Sequence, residues 1–412
     1  MLAVPDLSLV ALWLGDGSAE AARVPLAMLL VFGTAKLFAE LLERFGQPGI
    51  VGEILAGVVL GPSVLAWIAP NDLLKTLADL GVMFLLFRVG LEVKPSELLK
   101  LGGTATVVAT TGVIVPFFLG WAVLAAWGAP RIEAIFVGAA MVATSVGITA
   151  QVLATKGLLH ERSSQIILAA AVIDDVLGLL VLALVSSMAH GTVNALEIGL
   201  TTLMAVAFVV LVAKWGTRAM GHIVPRVQAS LRVAEGEFAL ALIFLFALSL
   251  AAIWIGVAAI VGAFLAGMTL AAGVGQRVRD LAHGATELLV PFFLAGIGLH
   301  VDLGAFQTPS MIALAAVILV AALVSKFVGC GLGAWSLGRV EAVRIGVGMI
   351  PRGEVGMVVA QIGLAMGVIS QNIYGVVVFM AVATTIAAPP LLSIVYRGVE
   401  KPEIAEEVLR LG

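Results

Sequence analysis

The chain has 412 residues, of which 61% are hydrophobic and only 12% charged. Soluble proteins carry about 25% charged residues, so this composition excludes a soluble globular protein and indicates a polytopic helical membrane protein. The net charge of −3 gives no reason to expect a nucleic-acid partner, and a single cysteine excludes an intrachain disulfide.

Thirteen apolar segments are long enough to cross about 30 Å of hydrocarbon as helices. The sequence between residues 234 and 272 has no clear break, and we place the boundary between its two segments near residue 250. Numbered in chain order as spans 1–13, the segments lie near residues 25–43, 49–68, 76–93, 103–126, 132–155, 163–188, 195–213, 234–250, 252–272, 286–300, 309–337, 342–366 and 373–396.

The basic residues alternate between the loops. Of the 23 lysines and arginines, 17 fall in one alternate set of loops, three in the opposite set and three within spans. Because cytoplasmic loops are enriched in basic residues, we expect the N-terminus outside and the C-terminus in the cytoplasm. An even number of spans would spoil this alternation, so the charges support thirteen.

The two halves of the chain resemble each other. "GIVGEILAGVVL" at 49–60 matches "AIVGAFLAGMTL" at 259–270 at seven of twelve positions, and "VGLEV" at 89–93 echoes "IGLHV" at 297–301. The offset corresponds to seven spans, an odd number, so the second copy is inverted in the membrane. We predict two six-span repeats joined by a linker span, a plan common among secondary transporters, whose substrate sites lie near mid-membrane.

Three charged residues lie near the middle of spans 6 and 11. Asp174 and Asp175 are about 17 Å into span 6 at 1.5 Å per residue, where one carboxylate costs about 3 kcal/mol to insert. Lys326 lies near the middle of span 11. One carboxylate can pair with the lysine, and the other is then a candidate cation ligand. For Asp174, a purely structural pair with Lys326 stays open.

Spans 5 and 12 are repeat partners, and both carry polar or helix-breaking residues at mid-depth. Pro351 cannot donate a helical hydrogen bond and glycines flank it, so we expect span 12 to be interrupted there. Broken helices expose carbonyls and helix ends that suit cation binding. The hydroxyls of Thr144 and Ser145 are candidate ligands, or bond their own helix backbone. We predict that Arg352 and Glu354 form a structural charge pair that also neutralises the half-helix ends.

The adjacent aspartates do not indicate an enzyme. An intramembrane aspartyl protease needs two aspartates on different helices, whereas neighbours on one helix point about 100° apart. The histidines lie at span ends or in loops without partners at metal-ligand spacing. We therefore expect no enzymatic activity and no cofactor.

Four motifs, in order along the chain, resemble the second monovalent cation:proton antiporter family, which includes NapA-type sodium/proton antiporters and Kef-type potassium efflux proteins. An Asp-Asp pair and an intramembrane lysine, matched by Asp174, Asp175 and Lys326, favour the NapA-type branch. Kef-type members usually carry a different residue before the aspartate. The motifs are "GEILAGVVLGPSVL" (52–65), "ATSVGITAQVL" (143–153), "AAVIDDVLGLLVL" (170–182) and "MIPRGEVGMVVAQIG" (349–363).

The resemblance implies one transmembrane antiporter domain over residues 1–412, with crossed broken helices in spans 5 and 12. It implies a core of spans 4–6 and 11–13 that slides like an elevator against a scaffold of spans 1–3 and 8–10. The scaffold is expected to form a homodimer among the lipids of a bacterial inner membrane. Because the chain ends shortly after span 13, we expect no cytoplasmic regulatory domain.

For function, the resemblance implies electrogenic exchange of Na⁺ or Li⁺ for protons, which extrudes Na⁺ from the cytoplasm. Na⁺ would bind Asp175, with help from Asp174 and Ser145, and Lys326 would take part in proton exchange. A K⁺/H⁺ antiporter of the Kef-like branch would share every motif and stays an alternative. A cation channel is a less favoured alternative, because the inverted repeat argues against it.

Overall fold

The computed structural model describes residues 16–93, 95–190, 195–216, 235–271, 273–301, 303–306 and 308–399. Within these ranges the regular secondary structure is entirely helical, as the sequence predicts. The main helices are α1 (Asp16–Arg44), α2 (Gly49–Leu60), α3 (Asp72–Glu92), α4 (Pro95–Ala126), α5 (Arg131–Ala140), α6 (Val146–Thr155), α7 (Arg162–His190), α8 (Ala195–Leu211), α9 (Gly236–Ile255), α10 (Ala259–Leu270), α11 (Gln276–Leu299), α12 (Pro309–Gly333), α13 (Arg339–Gly348), α14 (Gly353–Ala365) and α15 (Gln371–Val395).

These helices confirm the predicted span plan. Seven of them are long and apolar enough to cross a membrane by themselves, and shorter apolar helices lie in other predicted spans. Span 5 is broken into α5 and α6, and span 12 into α13 and α14, while α8 lies in the linker span. The broken spans are therefore the two repeat partners that the sequence singled out.

The boundary that we placed between spans 8 and 9 is wrong by about five residues. Helix α9 continues to Ile255, and the chain turns at Gly256, which has a φ of +90°. Helix α10 then begins at Ala259. Glycine adopts this left-handed conformation at little cost and commonly ends helices. Hydropathy could not locate this helix boundary, because the residues on both sides of the turn are equally apolar.

The internal repeat is visible in the packing. Helices α2 and α10, which carry the matched sequences, are both twelve residues long. A Cβ atom on Gly57 of α2 would collide with the carbonyl of Ala295 in α11, and one on Gly267 of α10 would collide with the carbonyl of Phe87 in α3. The two contacts correspond under the repeat. At these glycines, helices of one repeat therefore pack against helices of the other so closely that their backbones are in contact.

The helices pack in two groups. Group A contains α1–α3 and α9–α11, with α3 packed against both α10 and α11. Group B contains α4–α7 and α12–α15, with α4 packed against α7 and α12. Helix α8 contacts α7 of group B and α9 of group A. The broken helices lie in group B, and α6 packs against α3 of group A.

Candidate functional site

The interruptions of the two broken helices lie against each other. Ser145 precedes α6 in an extended conformation, and its backbone N–H donates to the carbonyl of Pro351 at 2.8 Å. Gly353 starts α14 with a φ of +44°, and a Cβ there would collide with the side chain of Ser145. Glycine is thus required at this crossing for both conformation and space. The crossing leaves the carbonyls at the end of α5 available to side chains.

A buried ion pair lies at the crossing. The Nζ atom of Lys326 in α12 is 3.1 and 3.3 Å from the two carboxylate oxygens of Asp174 in α7. The same ammonium donates to the carbonyls of Gly112 at 2.8 Å and Val142 at 2.7 Å. The side chains of Lys326 and Asp174 are 0% and 1% exposed. An ammonium has three protons, so two carbonyls and one carboxylate satisfy it.

Arg352 binds the same half-helix end. Its guanidinium is fully buried and donates to the carbonyls of Met141 and Val142, just after α5 ends. It also donates to the carbonyl of Ala322 in α12 at 2.9 Å. Positive charge is favourable at a helix C-terminus, so Lys326 and Arg352 together stabilise the interruption. The side chain of Glu354 lies outside the described residues, and its pairing with Arg352 stays a prediction.

Asp175 lines a cleft that Asp174 and Lys326 do not line. It is half-buried and lines a cleft of about 10 Å³, room for about one water molecule, together with Val146 of α6, Leu86 of α3 and Phe264 of α10. Apart from Asp175, the lining is apolar. The two adjacent aspartates therefore face different surroundings: Asp174 faces the interior of group B, and Asp175 faces the boundary between the groups.

The structure places both predicted hydroxyl ligands at the crossing. Thr144 is buried, and its Oγ1 has no hydrogen-bond partner among the described residues, so the alternative of a bond to its own helix is not what the structure shows. Ser145 is buried with its side chain against Gly353. Thr149 donates to the carbonyl of Gly348, where α13 ends, at 2.6 Å.

Sequence reasoning missed Thr384 in α15. Its Oγ1 accepts the backbone N–H of Arg352 at 3.3 Å and so supports the start of α14. A signal was present, because the offset between positions 49 and 259 also relates Asp174 to Thr384 and Asp175 to Thr385. The first repeat thus carries carboxylates where the second carries hydroxyls.

Comparison with known families shows which family the chain resembles over most of its length. The model of the family described as "Sodium/hydrogen exchanger, transmembrane" matches residues 27–398. The chain belongs to the sodium/hydrogen exchanger family. This confirms the resemblance drawn from the four motifs. The family consists of secondary transporters, so the protein is a multi-pass membrane transporter and not an enzyme.

Individual members of the family are similar over most of their length. The chain is 32% identical to the Na⁺/H⁺-K⁺ antiporter GerN of Bacillus cereus, over 90% of this chain and 96% of that protein. It is 33% identical to the high-affinity Na⁺/H⁺ antiporter NhaS3 of Synechocystis, over 94% and 92% of the two chains.

A solved structure shares the fold. The sodium proton antiporter MjNhaP1 of Methanocaldococcus jannaschii matches with a TM-score of 0.65 and 17% identity, over 92% of this chain and 98% of that one. At this identity, the likeness supports the shared fold of the exchanger family.

Proposed function

We propose that the protein extrudes cytoplasmic Na⁺ or Li⁺ in exchange for protons, and that Asp175 is the carboxylate that carries either ion. One observation carries the proposal: the buried Lys326–Asp174 pair lies at a crossing of broken helices, while the neighbouring Asp175 faces a cleft. The ammonium of Lys326 donates hydrogen bonds to Asp174 and to two backbone carbonyls. Asp175 faces the boundary across which the two helix groups contact each other.

Competition for one carboxylate couples the two ions. Ionised Asp175 binds a dehydrated cation with the hydroxyls of Thr144 and Ser145 and nearby carbonyls, because hard cations prefer oxygen ligands. A proton on the same carboxylate removes its charge and releases the cation.

The ion pair supplies the second proton. Cation binding draws Asp174 toward the ion, and Lys326 then keeps only its carbonyl partners and gives up a proton. Two protons exchanged for one Na⁺ move one net charge, worth about 2.3 kcal/mol per 100 mV. With an inside-negative potential, proton entry drives Na⁺ out. The exchange is therefore electrogenic.

Access alternates by relative motion of the two groups. The walls of the Asp175 cleft come from α6 and α7 of group B and from α3 and α10 of group A. Movement of group B as a core against group A as a scaffold opens the cleft to one side and then to the other. Group A forms the homodimer interface within the lipid bilayer, with the N-terminus outside and the C-terminus in the cytoplasm, as the basic residues indicate.

The test is transport in proteoliposomes. A pH-sensitive dye should report exchange with Na⁺ and Li⁺, and Asp175→Asn should abolish it while the protein stays folded. Asp280→Asn, which removes an exposed carboxylate at the start of α11, is the control and should transport normally. Na⁺/H⁺ exchange by Asp175→Asn would remove Asp175 from the proposed role.

K⁺/H⁺ exchange is the second candidate function. It is favoured by one observation, the name of GerN, which includes K⁺ beside Na⁺. The same proteoliposomes tested with K⁺ distinguish the two, since exchange with K⁺ and not with Na⁺ would replace the first proposal. Single-channel steps in a planar bilayer would favour a cation channel over both.

A further inference from the structure

A buried proline lies in the interior of helix α4. Pro116 is 21 residues into a helix that runs from Pro95 to Ala126. A proline there is unfavourable, because it has no N–H for the carbonyl four residues earlier and its ring crowds that carbonyl. Inside a membrane no water can replace the missing donor, so a neighbouring helix has to supply one. The carbonyl that loses its helical donor in α4 is that of Gly112.

The donor that reaches this carbonyl is Lys326. Its Nζ atom in α12 lies 2.8 Å from the carbonyl oxygen of Gly112. The other backbone acceptor of the ammonium is the carbonyl of Val142, which lies in the interruption of span 5 after α5 ends. Both carbonyls therefore come from places where a helix lacks an N–H donor. Neither has to leave a regular helical ladder to bind the lysine.

Gly112 gives the ammonium access to the backbone of α4. A Cβ atom at this position would lie 2.5 Å from the Sγ atom of Cys330 and 3.5 Å from the Nζ atom of Lys326. Residues four apart lie on the same face of a helix, so Gly112 and Pro116 share the face of α4 that meets the lysine. The glycine leaves room for the ammonium, and the proline leaves the carbonyl without a competing donor.

The internal repeat relates the two sides of this hydrogen bond. The offset between positions 49 and 259 also relates Pro116 to Lys326, on the repeat partners α4 and α12. One copy of the repeat thus carries the ammonium, and the other carries the proline that frees its acceptor. The bond matters for the charge, because the positive guanidinium of Arg352 acts on the same ammonium and opposes it.

We propose that Pro116 is a positioning residue for proton exchange: it withholds an N–H from the carbonyl of Gly112, and so keeps that carbonyl for the ammonium of Lys326. The inference rests on the proposed function, in which Lys326 releases a proton when the cation binds. Hydrogen bonds to the charged form of a group favour that form. The carbonyl therefore makes the lysine hold its proton more firmly against Na⁺.

Pro116→Ala tests this role. The alanine N–H donates to the carbonyl of Gly112, and the bond from Lys326 weakens. Na⁺ should then displace the lysine proton more easily. The Na⁺ concentration that gives half of the thermal stabilisation by Na⁺ in detergent, at a mildly acidic pH, should fall about threefold to tenfold, up to the value of one hydrogen bond to a charged group. In proteoliposomes the KM for Na⁺ should fall likewise.

A loss of packing does not predict this result. Alanine favours a helix far more than proline does, so Pro116→Ala should melt no lower than wild type without Na⁺. Pro291→Ala is the matched control, since Pro291 is also buried inside a helix but lies in α11 of group A. It should keep the wild-type affinity for Na⁺. An unchanged or weaker affinity in Pro116→Ala would overturn the inference.

A backbone ester separates the missing N–H from the proline ring. Lactic acid, the hydroxy-acid analogue of alanine, can be inserted at position 116 by nonsense suppression and has neither ring nor N–H. Compared with Pro116→Ala, it should restore the wild-type affinity for Na⁺. If the ester variant binds Na⁺ as tightly as Pro116→Ala, the ring is responsible and the inference is overturned. Wild-type vesicles without Na⁺/H⁺ exchange would instead overturn the proposed function.

Discussion

The Lys326–Asp174 pair allows a quantitative prediction for Lys326→Gln. The substitution removes the only described positive charge that contacts Asp174, and both side chains are at most 1% exposed. Removing one partner of a buried ion pair costs about 3–5 kcal/mol, because it leaves the other charge uncompensated. The glutamine can still donate to one of the carbonyls of Gly112 and Val142. We therefore expect a loss near the lower end of that range.

The loss should depend on pH. An isolated buried carboxylate takes up a proton rather than stay charged, so the folded variant holds one proton that the unfolded chain lacks near neutral pH. More protons in the folded state mean that stability falls as pH rises, by about 1.4 kcal/mol per pH unit. The variant should thus be closest to wild type at pH 5.5 and clearly less stable at pH 8.

Thermal melting in detergent at these two pH values is the first assay. The double variant Lys326→Gln/Asp174→Asn has neither charge and should recover most of the stability at pH 8. Solid-supported-membrane currents are the second assay, with and without an imposed potential. Without Lys326 the exchange should become electroneutral or stop. If Lys326→Gln and wild type melt at the same temperature at pH 8, the charge argument is refuted. If Lys326→Gln keeps the wild-type currents and the wild-type voltage response, two-proton exchange is refuted.

Other substitutions test separate parts of the structure. Gly57→Ala should destabilise by about 1–3 kcal/mol, because a Cβ would push α2 away from Ala295; in melting curves Gly33→Ala, where the Cβ would meet nothing within 4 Å, should be at least as stable as wild type, because alanine favours a helix more than glycine does. Arg352→Gln should cost about 3 kcal/mol or more, since a buried guanidinium no longer binds the end of α5; melting equal to wild type would contradict this. Hydrogen bonds from Arg277 hold the pKa of Glu235 below its ordinary value, so their stabilisation is present above the unfolded value and lost as pH falls. Glu235→Gln should therefore melt at a lower temperature than wild type at pH 7 and at the same temperature at pH 3. A difference in melting temperature that increases as the pH falls would contradict a stabilising role of the Arg277–Glu235 pair.

The sequence was sufficient for the parts of the fold that depend on apolar length and backbone chemistry. Hydrocarbon thickness fixes the number of residues in a span, so the spans could be counted. Pro351 lacks an N–H group, so the interruption of span 12 was predictable, whereas the break in span 5 was expected from the family resemblance. By contrast, the turn at Gly256 lies within uniform apolar sequence, where composition carries no positional signal.

The contacts within the site could not be predicted in the same way. The sequence suggested the partnership of Lys326 with Asp174 because few charges lie at mid-membrane. Its other partners are carbonyls of Gly112 and Val142, and every residue has a carbonyl. Only the crossing of helices distant in the chain decides which carbonyls come within reach of the ammonium. The partners of Arg352 have the same origin.

The glycine contacts shared by α2, α3, α10 and α11 have a consequence for biogenesis. A ribosome delivers the first repeat to the membrane before the second exists, yet the backbone grooves at Gly57 and Phe87 are filled by residues 295 and 267. Helices α2 and α3 must therefore stay inserted without their final neighbours while roughly half of the chain is still being synthesised. During this interval something other than their final neighbours, such as lipid or the insertion machinery, must cover those grooves, and assembly of group A is completed late in translation.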